Sequence, residues 1–108
     1  MRSLGLLTCL SGPWDRNDFA ISADHGTQIA QAFSNVDFVL REAGGKGWSQ
    51  VFCVNSYHVP LTYEAMELMA AQFEKWMPDH KPIWTCIGTP RLGDEKMRIE
   101  IEVVAHVG

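Results

Sequence analysis

The stretch Met97-Arg98-Ile99-Glu100-Ile101-Glu102-Val103 alternates apolar and charged residues without a break. Successive side chains of an extended chain point to opposite faces, so Met97, Ile99, Ile101 and Val103 share one face and Arg98, Glu100 and Glu102 the other. This is a strand with one side in a core. Its second side carries two carboxylates about 7 Å apart by strand rise. A carboxylate withdrawn from water needs a partner.

Before this strand, Pro90 to Glu95 is rich in turn residues, and Ile83-Trp84-Thr85-Cys86-Ile87-Gly88 reads as another strand. Tyr63, Met66, Met69, Ala70, Phe73, Trp76 and Met77 follow helical spacing, with Thr62 as cap and Pro78 as terminator. The β-branched and aromatic run from Trp48 to Val59 is a strand ended by Pro60. Ile29, Phe33, Val36 and Leu40 recur every three or four residues, which predicts a helix over Gln28 to Ala43. Ser22 or Asp24 caps it, and Gly44-Gly45 stops it. Leu4 to Leu10 is a strand closed by the turn Ser11-Gly12-Pro13, and a polar surface loop follows to Ser22. The order strand, helix, strand, helix, strand, strand predicts an α+β fold, a mixed β-sheet with two helices packed on one face. Such a sheet leaves its other face to water unless subunits associate, so an oligomer that buries it is expected.

A chain of 108 residues holds one core, hence a single domain over 1–108. Its 46% hydrophobic and 20% charged composition is that of a folding chain. Nine Lys+Arg against thirteen Asp+Glu give a net charge of -4, and no basic cluster occurs. Nucleic acid and anionic membrane surfaces are therefore not expected partners. No apolar run approaches the roughly 20 residues needed to span a bilayer. Met1 to Leu10 is too short, and too broken by Gly5 and Thr8, for a secretion signal. Cys9, Cys53 and Cys86 are odd in number and widely spaced, which argues against a disulfide framework and for a reducing, cytoplasmic setting.

Little of the usual catalytic vocabulary is present. Gly44-Gly45-Lys46-Gly47 follows a helix, whereas a phosphate-binding loop opens one. His25, His58, His80 and His106 are scattered, as loop or strand-end residues rather than metal ligands, so neither a metal nor a cofactor is expected. Glu100 admits two readings: a carboxylate satisfied by Arg98 or a neighbouring subunit, or an acid/base lining a cleft. Cys86 is a small core residue or a nucleophile lacking a placed base. Trp84 is core or a pocket wall.

The Ser11-Gly12 turn, the helix from Gln28 to Ala43, the strand from Val51 to Tyr57, the segment Pro82-Ile83-Trp84-Thr85-Cys86 and the ending Ile99-Glu100-Ile101-Glu102-Val103-Val104-Ala105 resemble the RidA/YjgF family, also labelled L-PSP endoribonuclease. The resemblance covers almost the whole chain. Gly-Gly-Lys-Gly-Trp-Ser-Gln-Val and Trp-Thr-Cys look like a fungal branch of it. The resemblance implies a chorismate-mutase-like homotrimer whose sheets close a central barrel and whose small-molecule clefts lie between subunits. In the family's deaminases an arginine holds the substrate carboxylate, and a glutamate on the last strand positions the water that hydrolyses a 2-imino acid. The glutamate matches Glu100, the cysteine matches Cys86, and the Ser-Gly turn matches Ser11-Gly12. The arginine position holds Trp84. The chain also begins about where the family's second strand does, so the opening hairpin is expected to be short or missing, or to belong to sequence that precedes these residues.

An indole offers one neutral N–H where a guanidinium offers two parallel charge-assisted hydrogen bonds. Losing such a clamp costs about 2–5 kcal/mol in a secluded site, which argues against standard 2-imino-acid deamination. The expected function is action on an imine, enamine or enol metabolite, largely apolar or aromatic, in intersubunit clefts. Glu100 would be the acid/base, and Trp84, Cys86, Ser11 and Gly12 would contact the substrate. The alternative is a noncatalytic trimer that binds small molecules or partners. Ribonuclease activity comes only from the family label and sits poorly with the net charge.

Overall fold

The computed structural model describes residues 5–107; Leu4, the expected start of the first strand, and the other residues at the two ends lie outside the described residues. The elements are β1 (Leu6–Ser11), α1 (His25–Glu42), β2 (Val51–His58), α2 (Tyr63–Trp76), β3 (Ile83–Gly88) and β4 (Ile99–His106). They form one four-stranded sheet in the order β1-β4-β2-β3. β4 runs antiparallel to both of its neighbours, β1 and β2, while β3 lies parallel to β2. The sheet is therefore mixed, and both helices cover one face, as the element order predicts.

The helices begin and end where the sequence signals stand. Asp24 is extended, and its side chain accepts the Thr27 N–H at 2.8 Å, capping α1. Beyond α1, Gly44 takes φ +96°, a left-handed conformation that glycine adopts without penalty, and the Gly45 N–H closes back onto the Leu40 carbonyl. The buried stripe of α1 contains Ile29, Ala32, Phe33, Val36 and Leu40, and also two polar residues, Gln28 and Asn35. Thr62 caps α2 through the Ala65 N–H. Its buried face is narrower than the spacing predicts. Tyr63 is 86% exposed and Met66 also faces outward, whereas Met69 is sealed. At 3.6 residues per turn Tyr63 lies about 120° around the helix from Met69, off the face that meets the sheet.

Several strand boundaries differ from expectation: β1 runs on through Ser11, the first residue of the expected turn, and β2 ends at His58, one residue before Val59. Gly47–Gln50 is a 3-10 turn and not the start of β2. Trp48 is buried there, stacked on Phe33 at 4.7 Å, and its Nε1–H donates to the Phe33 carbonyl, so its bulk is spent on α1. β4 starts at Ile99 and continues to His106, with Ala105 still on the buried side. The core lies between sheet and helices: Ile99, Ile101 and Val103 from β4, Val51 and Val54 from β2, and Phe33, Val36, Leu40 and Met69 from the helices. Among the described residues no helix is long and apolar enough to cross a membrane.

Among the described residues no helix or further strand layer covers the other face of the sheet. Leu6 (62% exposed) and Leu10 on β1, and Ile83 (71%) and Ile87 on β3, flank it on both edges. Its centre is polar, with Asn55, Tyr57, Glu100 and Glu102.

Candidate functional site

Strand alternation and the register of β2 and β4 build this polar centre. Asn55 is paired with Glu102 and Tyr57 with Glu100, and side chains of paired residues project side by side on one face. Glu102 Oε1 accepts the Asn55 Nδ2–H at 3.0 Å and the Tyr57 hydroxyl at 3.4 Å. Among the described residues Glu100 has no such donors. Its carboxyl is pushed above the usual carboxylate range, first by burial and then by the negative charge of Glu102. Tyr57 is raised first by burial, then by the charge of Glu102 and the hydrogen bond it gives that carboxylate, with Glu100 adding to the effect. The two carboxylates on this strand face thus differ: one oxygen of Glu102 is tied by hydrogen bonds, and Glu100 holds its proton more tightly than an ordinary carboxyl.

Glu100 lines a cavity of about 360 Å³ with Trp14, Phe19, Ile21, Gly93, Asp94 and Met97. The aromatic side of this cavity comes from the loop between β1 and α1. That loop is fixed by the two buried polar residues of α1. Asn35 Nδ2 donates to the carbonyls of Gly12 (2.9 Å) and Trp14 (2.7 Å), while its Oδ1 accepts from Arg16 and Gln31. Gln28 Nε2 donates to the Ser22 and Lys96 carbonyls, and its Oε1 accepts the Arg98 N–H. Every polar atom of Gln28 is thereby used to join the loop's end to the start of β4. Gly12 is required by close approach, because a Cβ there would run into the Trp14 ring and the Met97 side chain. Phe19 is 72% exposed and holds φ +62°, a conformation costly for a residue with a Cβ. Asp15 enforces it: its carboxylate accepts the Asn17 and Asp18 N–H groups and its backbone pairs with Phe19 and Ala20.

The structure places the expected site residues in two groups. Gly12 adjoins Trp14 and Met97, two walls of the Glu100 cavity, whereas Ser11 is buried beside Cys9 and lines a different cavity, on the other side of Trp14 and Phe19. Trp84 and Cys86 lie on the opposite, helix-facing side of the sheet, on β3, with β2 between them and β4. Trp84 packs edge-on against Phe73 at 5.0 Å and lines a separate apolar cavity of about 290 Å³ with Ala70, Phe73 and Met77. Its Nε1–H donates to Ser56 Oγ at 2.9 Å. Burial raises the Cys86 thiol, which keeps it protonated at neutral pH.

Ser56 Oγ also lies 2.9 Å from His58 Nε2, and both residues are sealed. Ser56 Oγ thus accepts from Trp84 and shares a hydrogen bond with His58, in which the His58 tautomer decides the donor. Burial, with His25 as a second cause, lowers His58 to about 4. The expectation of a strand-end histidine holds for its position but not for its environment. Among the described residues no three His, Cys, Asp or Glu side chains converge as a metal site would need.

Asn35, Gln28, Tyr57, Asn55 and Phe19 were not singled out by sequence. For Asn35 and Gln28 a signal existed: they stand seven residues apart on the apolar stripe of α1, where a polar side chain is retained only if it is hydrogen-bonded.

Residues 3–107 match the family model described as Endoribonuclease L-PSP. No curated protein matches the chain. Among solved structures, a Rid-family protein of unknown function, YyfB from Yersinia pestis, is 25% identical with a TM-score of 0.82, over 93% of this chain and 77% of that one. The structural genomics protein YJGH is also 25% identical, with a TM-score of 0.80 over 98% of this chain and 79% of its own. E. coli TdcF with bound serine shares the fold at 20% identity and a TM-score of 0.82, over 95% of this chain and 80% of that one. By its match over nearly the whole length and by its mixed four-stranded sheet with two helices, the chain belongs to the Rid/YjgF family, the Endoribonuclease L-PSP family.

Proposed function

We propose that this protein acts on a small imine, enamine or enol metabolite, by hydrolysis or tautomerisation, with Glu100 as the acid/base. One observation carries the reading: Glu100 lines a cavity with a raised proton affinity and, among the described residues, no hydrogen-bond donor of its own, while Oε1 of Glu102 beside it accepts from Asn55 and Tyr57. A carboxyl in that state protonates an enamine carbon or imine nitrogen and, once ionised, takes a proton from water or from carbon. Trp14 and Phe19 supply apolar walls for a planar, unsaturated substrate. The assembly is a homotrimer in which the open sheet faces of three copies meet, and the clefts between copies complete the site. Within one chain, Glu100 and the pair Trp84 and Cys86 face opposite sides of the sheet. A site containing all of them would draw on two subunits, with Trp84 as a wall and Ser11-Gly12 beneath Trp14. The protein is a single domain acting in the cytoplasm, with neither metal nor cofactor.

Glu100→Gln, assayed against a panel of imines and enol tautomers, tests the role. The carboxamide keeps size and loses the proton, so turnover should fall about 10²- to 10⁴-fold. Unchanged turnover removes the role.

A second reading, noncatalytic binding, is favoured by the state of Trp84, whose N–H is already taken by Ser56 and whose ring already packs on Phe73. Under it, Glu100→Gln changes ligand affinity only, and wild-type protein turns over no member of the panel.

A further inference from the structure

The second half of α2 stands clear of the sheet. Ala70, Phe73 and Met77 recur at the three- and four-residue spacing of one helical stripe, yet Ala70 is exposed and Phe73 only half-buried. The space left is the cavity of about 290 Å³ between this stripe and the segment that enters β3, which contributes His80 and Trp84. It lies on the helix side of the sheet, whereas Glu100 belongs to the open face. Its aromatic walls are fixed from behind. Phe73 meets Phe33 edge-on at 5.3 Å and Trp84 at 5.0 Å, and the Trp84 N–H is spent on Ser56. Neither ring can turn to close the space without giving up those contacts.

His80 supplies an oriented polar group. A bulge between Val51 and Cys53 interrupts the ladder of β2 with β4, and the Val51 carbonyl beside it lies 2.8 Å from His80 Nε2. A carbonyl only accepts, so Nε2 carries the proton and the neutral ring keeps its lone pair on Nδ1. Among the described residues no group donates to Nδ1. The exposed side chains at the mouth, Glu74 and Lys81, carry one charge of each sign and so favour neither an anion nor a cation. Rigid apolar walls with one placed acceptor are matched by a flat, uncharged molecule that brings one N–H. Its size follows from the volume: an apolar cavity of about 150 Å³ takes up benzene, and this one is about twice as large.

We infer that the cavity between α2 and β3 is a binding site for a neutral two-ring heteroaromatic molecule of the indole type, whose ring N–H donates to His80 Nδ1. The site is complete within one chain. It needs neither Glu100 nor the clefts between copies, and so stands apart from the reaction assigned above.

The test is a calorimetric titration of the full-length protein with indole and with benzofuran, which has an oxygen in place of the N–H, while amide NMR shifts report where each binds. Indole is expected to bind saturably with shifts at Ala70, Met77 and His80. Benzofuran should bind about three- to tenfold more weakly, the loss of one hydrogen bond. Ala70→Leu adds bulk to the cavity wall from an exposed helical position that accepts leucine readily, and should weaken indole binding about tenfold or more. His80→Phe keeps a ring without Nδ1 and should abolish the preference for indole over benzofuran. If that variant unfolds for want of the Val51 bond, Ala70→Leu still decides. Glu100→Gln should bind indole as the wild type does. Absence of saturable binding, undiminished binding in Ala70→Leu, or shifts confined to Trp14, Phe19 and Met97 would overturn the site. Benzofuran binding as tightly as indole would overturn the part given to His80, and weakened indole binding in Glu100→Gln would overturn the separation of the two cavities.

Discussion

Tyr57 and Glu100 face each other across β2 and β4, both with proton affinities raised by burial and by the charge of Glu102. Because the folded protein holds Glu100 above its ordinary pKa, ionising it at neutral pH costs stability. The contribution favouring the folded state exists below the unfolded value and is lost as pH rises through the folded one. Glu100→Gln should therefore melt at or above the wild-type temperature at pH 7, with the advantage shrinking toward pH 4, while any turnover falls. Differential scanning calorimetry at the two pH values checks this. A variant less stable than wild type at pH 7 would contradict it.

Asn35 holds the Gly12 and Trp14 carbonyls against α1. Asn35→Ala leaves buried acceptors unpaired and should cost about 2–3 kcal/mol in urea unfolding. Quenching of tryptophan fluorescence by acrylamide should rise as well, because Trp14 is released from its anchor.

Phe19 spends backbone energy to stand over the Glu100 cavity. Phe19→Gly relieves a left-handed conformation and should stabilise the fold by about 1 kcal/mol. The same change removes an apolar wall, so ligand affinity measured by calorimetric titration should drop. Loss of stability in this variant would show that Phe19 serves packing and not recognition.

His58 is buried neutral at about 4 against an unfolded value near 6.5. As pH falls from about 6.5 to about 4, the unfolded chain gains a proton that the folded chain refuses, so stability should decline by up to about 3 kcal/mol across that window. Urea midpoints between pH 7 and pH 4.5 measure the decline, and His58→Gln should flatten it.

The alternation from Met97 to Val103 and the stripe Ile29, Phe33, Val36 and Leu40 made β4 and α1 legible, because each buries one clean face. Where a side chain's partner lay far away in sequence, legibility failed. Trp48 reads as a strand residue until its N–H is seen to end on Phe33. Glu100 was legible as a candidate because its strand fixes its face. Its partition from Glu102 was not, since that depends on Asn55 and Tyr57, more than forty residues away. Trp84 and Cys86 were legible as a strand pair, but their side of the sheet is set by the parallel register with β2, which no local pattern encodes.

The open sheet face, with Leu6, Leu10, Ile83 and Ile87 around the Glu100 and Tyr57 centre, is the feature on which the proposed clefts depend. Sedimentation equilibrium at micromolar concentration tests it most directly. The expected species has three times the 12.1 kDa chain mass, and it should dissociate when Leu10 or Ile87 is replaced by aspartate. A stable species of 12.1 kDa would contradict the burial of this face and the clefts with it.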